Sequence, residues 1–194
     1  MEIPGISWKG GSIEDVEILR ELPGDLVRTL SDTNGLILHE GALHVRGACL
    51  TPEWHSLRAA WHGPKAFHTL YDDVRTSDVP FAQNQFGDQF LIREGVVLRL
   101  AAETGEIERL SDSLHDFFSR IRSDIEQFLN VGLGHGMQPG HLLHAYPPFC
   151  FQESGAKASL APLPASEVIL FHADLARQIR DVPDGGKVEF KPIA

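Results

Sequence analysis

Ten histidines, two cysteines and a large set of carboxylates are the side chains of this chain able to do chemistry, and their spacing limits what each can do. Zinc chemistry needs imidazoles and thiolates at short fixed spacings such as HExxH, HxH or paired CxxC. None of these occurs in the sequence. His39 and His44 lie across a tight turn, while His141 and His144, three apart and downstream of His135, come nearest to a ligand pair. The expectation is that no metal is bound. Nucleophilic catalysis needs Ser or Cys on a strained turn with a base beside it, as in GxSxG, and that motif is missing too. Cys49 in RGACLT and Cys150 in PPFCFQ sit among apolar neighbours, the setting of inert buried thiols. Glycines 132, 134 and 136 lack the preceding strand, the following helix and the Lys or Ser/Thr of a phosphate loop. The chain is therefore expected to be non-catalytic and to need no cofactor.

Carboxylates are the richest set. Asp72, Asp73, Asp88, Glu103, Glu106 and Glu108 are types that pair for acid–base work or hold a divalent cation. Most fall in turns and at helix ends, where acids cap and solubilise. Asp88 differs, because it follows Gly87 and precedes an apolar strand, and it is expected to bond backbone amides where that strand begins. A formal charge of −10 and a pI near 5.4 argue against nucleic acid, whose binding rests on clustered Lys and Arg. The same charge would steer a basic protein partner, with Asp72, Asp73, Glu103 and Glu106 as the candidate contact residues.

The elements that must position these residues follow from periodicity. Apolar content of 42% and charged content of 23% are those of a globular domain. The N-terminus MEIPGISWKGG lacks a basic region followed by an apolar run, and no segment approaches the ~18 apolar residues of a membrane span. A cytoplasmic protein without membrane contact is expected, and two distant cysteines fit a reducing compartment. Between Ser12 and Leu30 the pattern predicts two helices, the first capped by Ser12 with Asp15, the second opened by Pro23 and closed by Asn34-Gly35. A hairpin follows over Leu36 to His39 and Ala42 to Arg46. Short helices are expected over Pro52 to Ala60 and Pro64 to Tyr71. From Val79 the sequence reads as strands, with Glu94-Gly95 turning FLI into VVLRL and Ala102 to Glu106 turning again into Ile107. Ser111 to Leu129 carries the strongest amphipathic helix, capped by Ser111 or Ser113. Beyond a glycine-rich connection come extended structure around Pro147-Pro148, a strand at Ala158 to Leu163, a helix at Pro164 to Val182 and a last strand at Lys187 to Lys191. Tyr146, Phe149 and Phe151 form a semi-rigid aromatic segment suited to covering a sheet edge or to anchoring a partner.

The order of the central motifs carries a family resemblance. Pro80-Phe81-Ala82, a polar stretch, Phe86-Gly87-Asp88-Gln89-Phe90 and a glycine turn into Val96 resemble the core of the SUKH superfamily in its Smi/Knr branch. Leu22-Pro23 with Asn34-Gly35 upstream, and the helix of Ser113 to Leu129 downstream, are similar to the flanks of that pattern, which spans about residues 13 to 130. The resemblance, with the periodicity, implies an α+β fold with helices on one antiparallel sheet of five or six strands in a core domain over 1–130; the extension over 131–194 lies outside the resemblance and is read from the residues alone as strand, helix and strand, packed on the core as part of the same domain. Pro80, Phe81, Phe86, Gly87 and Asp88 would then be structural. It also implies a protein-binding role, in immunity against bacterial toxins or in regulation, with a basic toxin domain as one such partner. The competing reading is a small enzyme or ligand-binding protein with a pocket between core and extension.

Overall fold

The computed structural model describes residues 4–154, 158–183 and 185–188. Their fold is α+β. Seven strands form one antiparallel sheet in sequence order: β1 (Ile6–Lys9), β2 (Leu36–Leu38), β3 (Leu43–Val45), β4 (Val79–Asn84), β5 (Gln89–Arg93), β6 (Val96–Leu100) and β7 (Ile107–Ser111). Two helices, α1 (Val16–Glu21) and α2 (Gly24–Thr33), separate β1 from β2, and α3 (Leu57–His62) and α4 (Phe67–Leu70) separate β3 from β4. After β7 come α5 (Leu114–Leu129), a separate hairpin of β8 (His141–Tyr146) and β9 (Ser159–Pro164), and α6 (Ala165–Ile179). No helix of the described residues is long and apolar enough to cross a membrane.

Local chemistry sets the boundaries. Asp15 accepts the Ile18 amide as N-cap of α1, Asn34 closes α2 in the left-handed region at φ 44°, and Ser113 accepts the Asp116 amide at the start of α5. The helix expected from Pro52 begins instead at Leu57. Ser56 supplies its cap by accepting the Ala59 amide, and Glu53–His55 forms a single 3₁₀ turn. The sheet has seven strands where five or six were expected, because Ile6–Lys9, a four-residue run among glycines, pairs with β2 at its edge. Residues 189–191 of the expected last strand lie outside the described residues.

Sheet alternation divides the interior in two. Phe81, Phe90, Ile92 and Val97 pack with Leu26, Leu30, Phe117 and Ile121 in the larger core, under α1, α2 and α5. On the opposite face Leu91, Leu98 and Leu100 pack with Phe67, Tyr71, Ala173 and Ala176 from α4 and α6. The C-terminal helix therefore covers the second face of the sheet. Across that face runs a row of paired residues, Trp8, Ile37, His44, Gln83, Gln89 and Leu100, one from each of the first six strands. Its centre is polar and buried.

Candidate functional site

The Pro80 to Asp88 segment builds the turn between β4 and β5. Asn84 Oδ1 accepts the amides of Phe86 and Asp88 at 3.0 Å each, and the Asn84 amide donates to the Asp88 carbonyl at 3.0 Å. Gly87 closes the turn at φ 90°, a conformation side chains resist, with an added Cβ 3.3 Å from His172 Nδ1. Asp88 Oδ1 accepts the Ala102 amide at 2.9 Å and Oδ2 accepts from Asn84 Nδ2 at 3.2 Å. Its bond to the backbone thus reaches the far end of β6, not the start of its own strand. Burial raises the Asp88 carboxyl above the usual range, against the Ala102 amide and Arg99, which lower it. Pro80 and Phe81 are buried in β4, and Phe86 meets Phe149 edge to face at 5.2 Å, so the aromatic segment partly covers this turn. The Leu143 amide donates to the Gln85 carbonyl at 2.8 Å, which docks β8 on the same turn.

The acidic candidates separate into two environments. Asp72 and Asp73 are exposed, their side chains 78% and 67% accessible, and both lie within ion-pair reach of Arg180 on the C-terminal helix. They share a shallow depression with Thr104 and Gly105, beside exposed Glu106. Glu103 turns inward. Its carboxylate accepts the Phe149 and Cys150 amides at 3.0 and 2.7 Å, and burial raises its pKa despite those bonds. It anchors the extension to the β6–β7 turn.

The largest polar assembly is one that spacing did not assemble. Arg46 follows β3, is 3% exposed, and donates to the Pro80 carbonyl at 2.9 Å, Gln83 Oε1 at 2.7 Å and Gln89 Oε1 at 2.6 Å. Its guanidinium stacks over Phe67 at 5.2 Å. Desolvation lowers its pKa to about 9, which leaves it charged at neutral pH. Gln83 Nε2 lies 3.4 Å from His44 Nδ1, His44 Nε2 lies 2.8 Å from His55 Nδ1, and His55 Nε2 lies 3.0 Å from the Asn34 carbonyl. A carbonyl only accepts, so His55 carries its proton on Nε2, receives one from His44 Nε2, and leaves His44 Nδ1 to accept from Gln83. Both rings are neutral: desolvation holds His44 well below the usual histidine range and His55 at about 4. Trp8 and Trp54 flank His55, with ring centroids 4.6 and 5.4 Å away.

Arg46 also forms part of the wall of a cleft of about 290 Å³ between core and extension. Trp54, Ala60, Phe67 and Leu70 supply one side, Pro164 and Ile169 the other. Spacing could not find this site, because its walls come from four distant stretches. The one signal was a lone arginine in the apolar run Ala42 to Leu50.

His141, His144 and His172 each leave Nδ1 buried without a partner, yet no group of three or more His, Cys, Asp or Glu able to share a metal ion occurs among the described residues. Cys49 is buried as expected, whereas Cys150 is exposed; their thiols are pushed up to about 11 and about 12, first by desolvation and then by neighbouring carboxylates, which disfavours the thiolate needed for attack. No protein-family model, no curated protein and no solved structure matches the chain.

Proposed function

We propose that the chain is a non-catalytic protein-binding module of the SUKH type, an immunity or regulatory protein that holds a basic partner such as a bacterial toxin domain. The observation that carries this reading is the acidic corner of Asp72, Asp73 and Glu106. Asp72 and Asp73 lie within ion-pair reach of Arg180, and exposed Glu106 follows Gly105 of the same depression; Arg177, which also lines it, is paired with Asp174, so the three carboxylates and Arg180 leave the corner a net charge of about −2, open to approach. The excess of acid over base in the whole chain supports it, as does the Phe86-Gly87-Asp88 turn, whose atoms are engaged in holding two strands and the extension together. Occluding a basic surface requires complementarity and no bond-making step.

Co-expression with a candidate toxin domain from a neighbouring gene, scored by growth rescue and by the association rate of the purified pair, tests the reading. Rescue that is lost on reversing both Asp72 and Asp73 to Lys is the expected result. A chain that neither rescues growth nor binds overturns it.

A further inference from the structure

Arg46 is a buried cation without a buried anion. Among the described residues no carboxylate lies within ion-pair distance of it, and its three hydrogen bonds all end on neutral oxygens. A guanidinium has five N–H donors, so about two remain unused. Desolvating a charge costs several kcal/mol unless an opposite charge or a full set of bonds compensates, and here the compensation is incomplete. The cleft that Arg46 walls carries a second source of positive potential. Helix α6 begins there at Ala165, with Pro164 at its N-cap and no side-chain cap; the Ala165 amide donates to the Gly140 carbonyl at 2.8 Å, which leaves the amides of Ser166 and Glu167 in its first turn. Its 15 residues direct a partial positive charge to that end, reduced by Glu167 in the first turn. Of the remaining walls Trp54, Phe67, Leu70 and Ile169 are apolar and Ser166 is polar, and Glu53 and Lys65, of opposite charge, stand exposed at the margin.

We infer that this cleft is a binding site for a small carboxylic acid with an aromatic or branched apolar body, its carboxylate directed at Arg46 and the first turn of α6. A single buried guanidinium suits a monoanion, whereas a phosphate dianion would leave one charge uncompensated. A volume of about 290 Å³ is at the small end for ligand pockets, which favours a free acid over the end of a longer chain. The site goes beyond the protein-binding reading and uses none of the residues of the acidic corner, so either stands or falls alone.

Titration calorimetry of the whole chain with 3-phenylpropionate, with its neutral amide 3-phenylpropanamide and with an acetylated tripeptide ending in phenylalanine tests it. The acid should bind one to one, and the amide at least roughly tenfold more weakly, the loss expected for a charge-assisted bond. Ala60→Phe, which fills the cleft from α3 and leaves Arg46 in place, should weaken the acid by a similar factor while the variant still melts cooperatively. Arg46→Gln should do the same where it folds. Equal binding of acid and amide, no saturable binding of the acid by about 10 mM, or unchanged binding by Ala60→Phe overturns the site. Tighter binding of the tripeptide than of the acid overturns the free-acid assignment.

Discussion

Acid should unfold this protein through its buried neutral histidines, and His172 is the cleanest place to measure it. His172 is 2% exposed, its Nδ1 has no partner, and Nε2 lies 3.9 Å from Glu103, too far for a hydrogen bond. Burial, with a smaller contribution from His144, holds it at about 4 against an ordinary 6.5. The unfolded chain therefore binds a proton here before the folded chain does. Stability from this group is present above 6.5 and is lost as pH falls toward 4. Between pH 7 and pH 5 that loss is about 2 kcal/mol, from a slope approaching ~1.4 kcal/mol per pH unit. His55 adds a loss of similar size and His44 one of the same sign, whereas the raised carboxyls of Asp88 and Glu103 act in the opposite sense. His172→Phe isolates one group from that sum. Urea unfolding at pH 7 and pH 5 should show the variant losing about 2 kcal/mol less than the parent, with no deficit at pH 7, because an unpartnered buried nitrogen is removed. Equal losses in both proteins would refute the argument by placing the folded-state pKa of His172 at its ordinary value, and a larger loss in the variant would mean a charged ring paired with Glu103.

Other predictions follow from the same geometry. Gly87→Val forces a side chain into φ 90° beside His172 and should cost about 1–3 kcal/mol, lowering the melting temperature by roughly 3–10 °C in a thermal scan. Asp78→Ala leaves Arg93 without its fully buried partner and removes the acceptor of the Arg75 amide; denaturant unfolding should show a loss of about 3–5 kcal/mol, and a loss under 1 would contradict the pairing. Glu103→Gln keeps one acceptor for the Phe149 and Cys150 amides, so hydrogen exchange of residues 149–151 should quicken while that of β5 stays slow.

Sequence resolved some of these features and missed others for identifiable reasons. Helix α5 was legible because Leu114, Phe117, Phe118, Ile121, Ile125 and Leu129 repeat on one face and Ser113 caps it. The β5–β6 hairpin was legible from Glu94-Gly95, both at positive φ. Strand β1 was not, since four residues are too few to establish alternation. Glu103 resembled a solvated turn residue, and only amides 46 and 47 positions away draw it inward. The same holds for Arg46: its burial depends on Gln83, Gln89 and Phe67, none of them local to it.

The association rate with a candidate basic toxin domain, followed across salt concentrations for the parent and for Asp72→Lys with Asp73→Lys, tests the central claim most directly. A corner that steers a basic partner predicts a rate for the parent that falls with salt, and a variant slower by about tenfold at low salt with a flatter salt dependence and an unchanged melting profile. Identical rates and salt slopes for the two proteins would contradict it.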